Sequence, residues 1–166
     1  MFFKKNLLSE VKRYVKDNYV AVKKCKSKGN FEGAFLSKQC LCFESLEEIQ
    51  VKIEESWQQS LFRWIDKKEL KDSDVYKKSN ISKQTFSKIR SNENYQPNKD
   101  TAIQLCFGLK LGIDDALDLI GKAGYYLSDS IKRDLVVRYF IEKGIYEIDT
   151  LNIILDDMKL KLFPIN

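Results

Sequence analysis

Histidine is absent from the 166-residue chain. Without imidazole there is no Ser-His-Asp or Cys-His catalysis, no zinc site of the kinds that use His, and no side-chain switch near neutral pH. Glycine and proline are scarce, at 7 and 2 residues, which is too few for a barrel or sandwich built on many tight turns. No stretch approaches the roughly 18 apolar residues of a membrane span. Met1-Phe2-Phe3 runs straight into Lys4 and Lys5, without the apolar segment of a signal peptide. Cysteine is confined to Cys25, Cys40, Cys42 and Cys106. Together these features predict a cytoplasmic protein with reduced thiols and no membrane partner. Cys40-x-Cys42 is the one pair with metal-like spacing, but no His and no second CxC or CxxC pair accompanies it. No metal and no cofactor are expected. There is also no glycine-rich phosphate loop. The adjacent carboxylates Asp114-Asp115 and Asp156-Asp157 would point about 100° apart on a helix, so no catalytic residues and no enzyme are expected.

What the chain does have is helical periodicity. It is 43% hydrophobic and 32% charged, and its apolar residues recur at spacings of three and four, which predicts an all-α protein. The net charge of +5 is unevenly spread. Residues 1–28 carry nine Lys/Arg against Glu10 and Asp17, and residues 71–110 carry eight against four acids. Residues 111–166 are acidic, with seven against ten. Two basic regions suit a surface that meets a polyanion, although charge of this size also serves solubility alone.

Three regions follow. Residues 1–44 read as an amphipathic helix, with Phe3, Leu7, Val11, Tyr14, Val15 and Asn18/Tyr19 on one stripe, followed by an irregular basic linker. That helix is expected to pack on the core or form a dimer contact. Phe31 to Phe43 has aromatics without a clear period and could be a short strand, a hairpin or linker. Residues 45–124 regain the helical period. Ser45 and Glu48 make a capping-box pattern, one helix or two cover 46–68, and Glu54-Glu55-Ser56 could cap a second start. Residues 125–166 predict two further helices packed on the rest. Ser128 or Asp129 would cap the first, with Ile131, Leu135, Val136, Tyr139 and Phe140 on its apolar face and Gly144 ending it. Asp149 or Thr150 would cap the second, with Leu151, Ile154, Leu155 and Met158 inward. Cys106 falls in an apolar helical run and reads as a small buried residue.

The stretch Leu70 to Ser91 carries the chemistry. Asp72 or Ser73 can cap a helix of about seven residues that buries Val75 and Tyr76. Asn80 stands where the chain must turn, and Asn tolerates the left-handed conformation well. Ser82 can cap the next helix, in which Phe86 and Ile89 face inward. Lys83, Gln84, Ser87, Lys88 and Arg90 are left outside, and no acidic residue lies between Ile81 and Ser91. Gln can pair with adenine, Lys can donate to guanine, and Ser and Thr can bond phosphates or base edges. The plainer alternative is a solvated helix face.

The order of elements distinguishes the two. A helix ending near Lys68 precedes this pair. Afterwards come a loop through Pro97, a helix capped by Asn98 or Asp100 with Ala102, Ile103, Leu105, Cys106 and Leu109, and a fifth helix opening after Leu111-Gly112. This five-helix order resembles the Cro/repressor-type (XRE-like) helix-turn-helix family. Ile81-Ser-Lys-Gln-Thr-Phe-Ser-Lys-Ile-Arg90 occupies its recognition-helix position, and Thr101 to Ile113 resembles its fourth helix and the following turn. The chain departs from the family where Tyr76 replaces the usual Ala, Asn80 the usual Gly, and Asp72 a frequent Gln. Tyr76 demands a wider gap between the two helices. Residues 45–163 also resemble a group of small, poorly characterised bacterial proteins that share the run Phe86 to Ser91, the stretch Lys122 to Tyr125 and a terminal helical pair.

The resemblance implies a bacterial or phage regulator of transcription, a repressor, that binds double-stranded DNA. Lys83, Gln84 and Lys88 would approach bases, and Ser82, Thr85, Ser87 and Arg90 would mainly hold phosphates. Such repressors commonly act as homodimers, and helix 3–19 or the pair 129–158 could supply that contact. The alternative is an adaptor that reuses the scaffold for a protein partner, since fold does not fix function.

Overall fold

A computed structural model describes residues 2–20 and 55–165, and the side chains from Asn6 onward. The described residues are helical, with no strand among them. Their helices are α1 (Phe2–Asn18), α2 (Trp57–Lys67), α3 (Asp72–Lys78), α4 (Lys83–Ser91), α5 (Lys99–Gly108), α6 (Ile113–Lys122), α7 (Lys132–Glu142) and α8 (Ile148–Asp157). The readings for 21–54, including Cys40-x-Cys42 and the Ser45/Glu48 box, lie outside the described residues.

Helix starts use short polar side chains where the chain supplies them. Ser56 caps α2 in a reciprocal box with Gln59, Ser82 accepts from the Thr85 amide at the start of α4, and Asn98 does the same for Thr101 in α5. Each satisfies a backbone donor that the first turn leaves open. Helix ends follow one recurring device. After α2, α3, α5, α6, α7 and α8 comes a residue with positive φ: Glu69, Asn80, Lys110, Gly124, Gly144 and Lys159. The next residue, Leu70, Ile81, Leu111, Tyr125, Ile145 or Leu160, returns its amide to a carbonyl five positions back. This is the Schellman closure, whose apolar last residue packs back onto the core.

α5 is the central rod. Thr101 through Gly108 are all buried, as expected of a helix that is apolar around most of its circumference. α3 and α6 pack on it. The C-terminal tail covers it further, since Phe163 is buried and the Gln104 amide donates to the Pro164 carbonyl at 2.8 Å. Asn152 holds the tail at both its polar atoms, accepting from Phe163 N at 2.8 Å and donating to Phe163 O at 3.0 Å. Arg133 of α7 pairs with Asp100 at 2.6 Å and lies over the Phe163 ring at 3.9 Å. The buried Asp134 carboxylate takes Lys99 at 2.5 Å and the Ser128 amide at 2.9 Å.

α1 lies along α7. Leu7, Val11 and Val15 of its stripe are buried, so the amphipathic face is used within the fold. Two phenols fasten this seam. Tyr139 donates to Glu10 and Tyr14 to Glu142, each at 2.9 Å, with the two rings edge-on at 5.1 Å.

Three helix starts differ from expectation. α3 begins at Asp72 itself, with Lys71 as its uncapped N-terminal neighbour, and the Asp72 carboxylate is engaged by Arg90 instead of by the helix. α7 begins at Lys132, not after Ser128 or Asp129. Ser128 spends residues 128–131 on a turn of its own, accepting from Ser130 N and, through its carbonyl, from Ile131 N. Ile131 is consequently 48% exposed and does not join the apolar face. α8 begins at Ile148, ahead of Asp149 and Thr150, and the Thr150 hydroxyl donates to Glu147 instead of capping. Tyr76, expected to be buried, is only partly so.

Candidate nucleic-acid interface

The pair α3 and α4 is joined by Ser79-Asn80-Ile81-Ser82. Asn80 takes φ +51°, the left-handed value expected of it. Its amide reaches Lys77 O at 3.2 Å, and Ile81 N reaches Tyr76 O at 2.9 Å, so the turn closes α3 before Ser82 opens α4. Ser79 is fully buried beneath the turn, against Gly108 of α5. The angle between the two helices is thus set by backbone closure above and close packing below.

α4 presents two faces. Phe86 and Ile89 are buried, at 3% and 0% exposure. Lys83, Gln84, Ser87 and Lys88 are exposed on the other side, together with Arg90. Ser82 and Thr85 are half-buried. Their hydroxyls lie 2.8 Å apart and Ser82 Oγ also takes the Thr85 amide, so their first task is the helix cap. Sequence spacing therefore brings Lys83, Gln84, Ser87 and Lys88 onto one surface of suitable chemistry for a DNA groove. Arg90 is engaged elsewhere: its Nη2 lies 2.6 Å from Asp72 Oδ1, and its guanidinium stacks 4.3 Å from the centre of the Phe62 ring.

The C-terminus of α4 lacks the recurring helix closure. Asn92 is extended, and the carbonyls left open at the helix end are taken by a side chain from another helix. The Gln58 amide nitrogen donates to Ile89 O at 2.6 Å and lies 3.3 Å from Asn92 O. Gln58 is buried, so α2 pins the end of α4 from inside. No sequence signal identifies this residue, because a Gln on an amphipathic helix reads as surface until its partner helix is placed.

Tyr76 leans on Phe86, with ring centres 6.1 Å apart. Beside it opens a cleft of about 360 Å³ between α3 and α4, lined by Asp72, Tyr76, Lys83, Phe86, Ser87, Arg90 and Ser91. The cleft is continuous with the outer face of α4, through Lys83 and Ser87. The long loop before α5 is tied down, since Gln96 donates to Ala123 O at 2.7 Å and the Tyr125 hydroxyl to Pro97 O at 3.2 Å. Cys106 is completely buried, and burial pushes its thiol far up from the ordinary range. Among the described residues, no group of three or more Cys, Asp or Glu could hold a metal ion, and no helix is long and apolar enough to cross a membrane.

Comparison with known proteins agrees with this geometry. No curated protein and no solved structure matches the chain. A family does match, over the segment that begins inside α2 and ends with α6. Residues 61–122 match the family of Cro/C1-type HTH DNA-binding domains.

Proposed function

We propose that the protein is a transcriptional regulator, a repressor, that binds double-stranded DNA with α4 in the major groove. The observation that carries this is the outer face of α4, where Lys83, Gln84, Ser87 and Lys88 are exposed without an acidic neighbour on the helix. Lys83, Gln84 and Lys88 read or approach bases, Ser87 reaches base edges or phosphate, and Ser82 and Thr85 hold phosphate from the helix start. A homodimer on two half-sites about one helical turn apart suits this geometry. Leu7, Val11 and Val15 of the α1 stripe are buried, which leaves exposed residues such as Tyr126 and Ile131 for a contact between copies. The working compartment is the cytoplasm, and residues 125–166 serve as a helical extension that braces α5.

The test is selection of bound fragments from a genomic DNA pool at moderate salt, followed by binding titrations over a salt series. One enriched motif with two-fold symmetry is expected. Lys83→Ala with Lys88→Ala should flatten the dependence of log affinity on log salt by about 0.9 for each phosphate no longer neutralised. Unchanged binding by the doubly substituted protein would overturn the assigned face. A chain that ignores the pool at low salt yet co-purifies with one protein would instead be an adaptor built on this scaffold.

A further inference from the structure

Asp72 stands in the first turn of α3 and Arg90 in the last turn of α4, and the two are joined at 2.6 Å. Both side chains are substantially exposed, at 40% and 51%. An ion pair this open contributes little to folding, so its geometry calls for another account. Arg90 is held from two sides, by the Asp72 carboxylate and by the Phe62 ring under its guanidinium. When the second helix of such a pair lies in the major groove, the first crosses the phosphate backbone. Asp72 therefore lies beside the phosphates, and so does the cation it holds.

A free arginine at that place would engage a further phosphate, which strengthens binding to any duplex regardless of sequence. We propose that Asp72 is a specificity-determining residue. It holds Arg90 against Phe62 with its charge already engaged, which keeps sequence-independent affinity low while the readers on α4 are untouched. This rests on the reading of α4 as the groove helix. It reassigns Arg90 from a phosphate ligand to a restrained cation, and it gives the carboxylate of Asp72 a function in an otherwise basic face.

The experiment is a salt series of binding titrations on a random-sequence duplex, using the full chain, Asp72→Asn, Arg90→Ala and the double variant. Asp72→Asn should bind more tightly than wild type, with a salt dependence steeper by about 0.9 for the additional phosphate neutralised. Arg90→Ala should keep the wild-type slope, and the double variant should behave like Arg90→Ala. Thermal melts of all variants should stay close to wild type, because the pair is exposed. A gain from Asp72→Asn that persists without Arg90 would overturn the proposal, since simple charge repulsion would then suffice. So would an Arg90→Ala slope as flat as that of Lys83→Ala. If Lys83→Ala and Lys88→Ala weaken binding while Asp72→Asn changes nothing, the restraint is refuted and the DNA-binding reading stands. If wild type and every variant ignore DNA, both fall.

Discussion

Ser79 and Gly108 occupy one space. A Cβ on Gly108 would lie 1.9 Å from the Ser79 hydroxyl oxygen, and would press on the Ser79 Cβ at 3.0 Å and its backbone nitrogen at 3.1 Å. The glycine lies in a helix and has no positive φ, so its value is the close approach of α3 to α5. Gly108→Ala should destabilise the protein by about 1–3 kcal/mol through overpacking, even though alanine favours a helix by about 1 kcal/mol. Urea unfolding measures this. Ser79→Ala should recover part of the loss by removing the hydroxyl, and a Gly108→Ala protein as stable as wild type would refute the packing argument.

Gln58 controls the end of α4. Gln58→Ala leaves the buried Ile89 carbonyl without its donor and should cost about 1–3 kcal/mol. Gln58→Glu should cost more at neutral pH, because a carboxylate cannot donate to carbonyl oxygens. Hydrogen exchange would locate the effect: amides near the end of α4 should lose protection ahead of those in α5. Uniform loss across the domain would show that Gln58 acts on global stability alone.

The left-handed helix ends offer a stabilising change. Lys110 and Lys159 sit at φ +49° and +55°, where a side chain is strained and glycine is not. Lys110→Gly and Lys159→Gly should each raise stability by about 0.5–1 kcal/mol, the strain relieved less the added unfolded-state entropy. Gly144→Ala is the converse. Its Cβ would meet nothing nearer than Tyr146 at 3.9 Å, yet φ +67° should make it destabilising by about 1–2 kcal/mol. Thermal melts with opposite signs for the two kinds of change are the expected result.

The seam between α1 and α7 should be sensitive to alkali. Burial and the hydrogen bond to Glu142 push the Tyr14 phenol up to about 12, and burial with the bond to Glu10 does the same for Tyr139. The neutral phenol is thus favoured in the folded state. Its contribution is intact below pH 10, the ordinary value, and is lost as pH rises through about 12. Phenolate absorbance and circular dichroism recorded together should show helix loss in that window. Tyr139→Phe and Tyr14→Phe should each weaken the pH dependence. Ionisation of both tyrosines near pH 10 without helix loss would contradict the assignment.

Cys106 should be inert in the folded protein. It is completely buried, with its thiol at 3.8 Å from the Ala116 carbonyl, and reaction requires an exposed thiolate. Alkylation followed by peptide mapping should leave Cys106 unmodified under native conditions and label it in denaturant. Rapid native labelling would mean that α5 opens locally without global unfolding.

Much of the helix-turn-helix is readable because its signals are local. Ser82 and Asn98 cap with backbone amides three residues away, Asn80 makes its turn within one loop, and Phe86 with Ile89 define a buried face through spacing alone. The starts of α7 and α8 are misread for the same reason. Ser128, Asp129, Asp149 and Thr150 all have the chemistry of a cap, and tertiary bonds such as Asp134 to Ser128 N decide which backbone amides need one. Glu69, Lys110 and Lys159 give no warning, since neither Glu nor Lys is marked for positive φ. The apolar residue that follows each of them is the usable signal, because its burial draws the chain through the left-handed step.

The outer face Lys83-Gln84-Ser87-Lys88 was therefore determined by the sequence alone: helical periodicity and one buried pair leave those residues no other side. Only the tertiary structure decided how that face is held and what surrounds it. Gln58, Gly108 and Ser79 act across helices that are distant in sequence, and Asp72 meets Arg90 only because the turn at Asn80 folds α3 back against α4. Local spacing specifies which way a side chain points from its own helix. The partner it meets depends on how two helices approach, and that is set by the packing of the whole core.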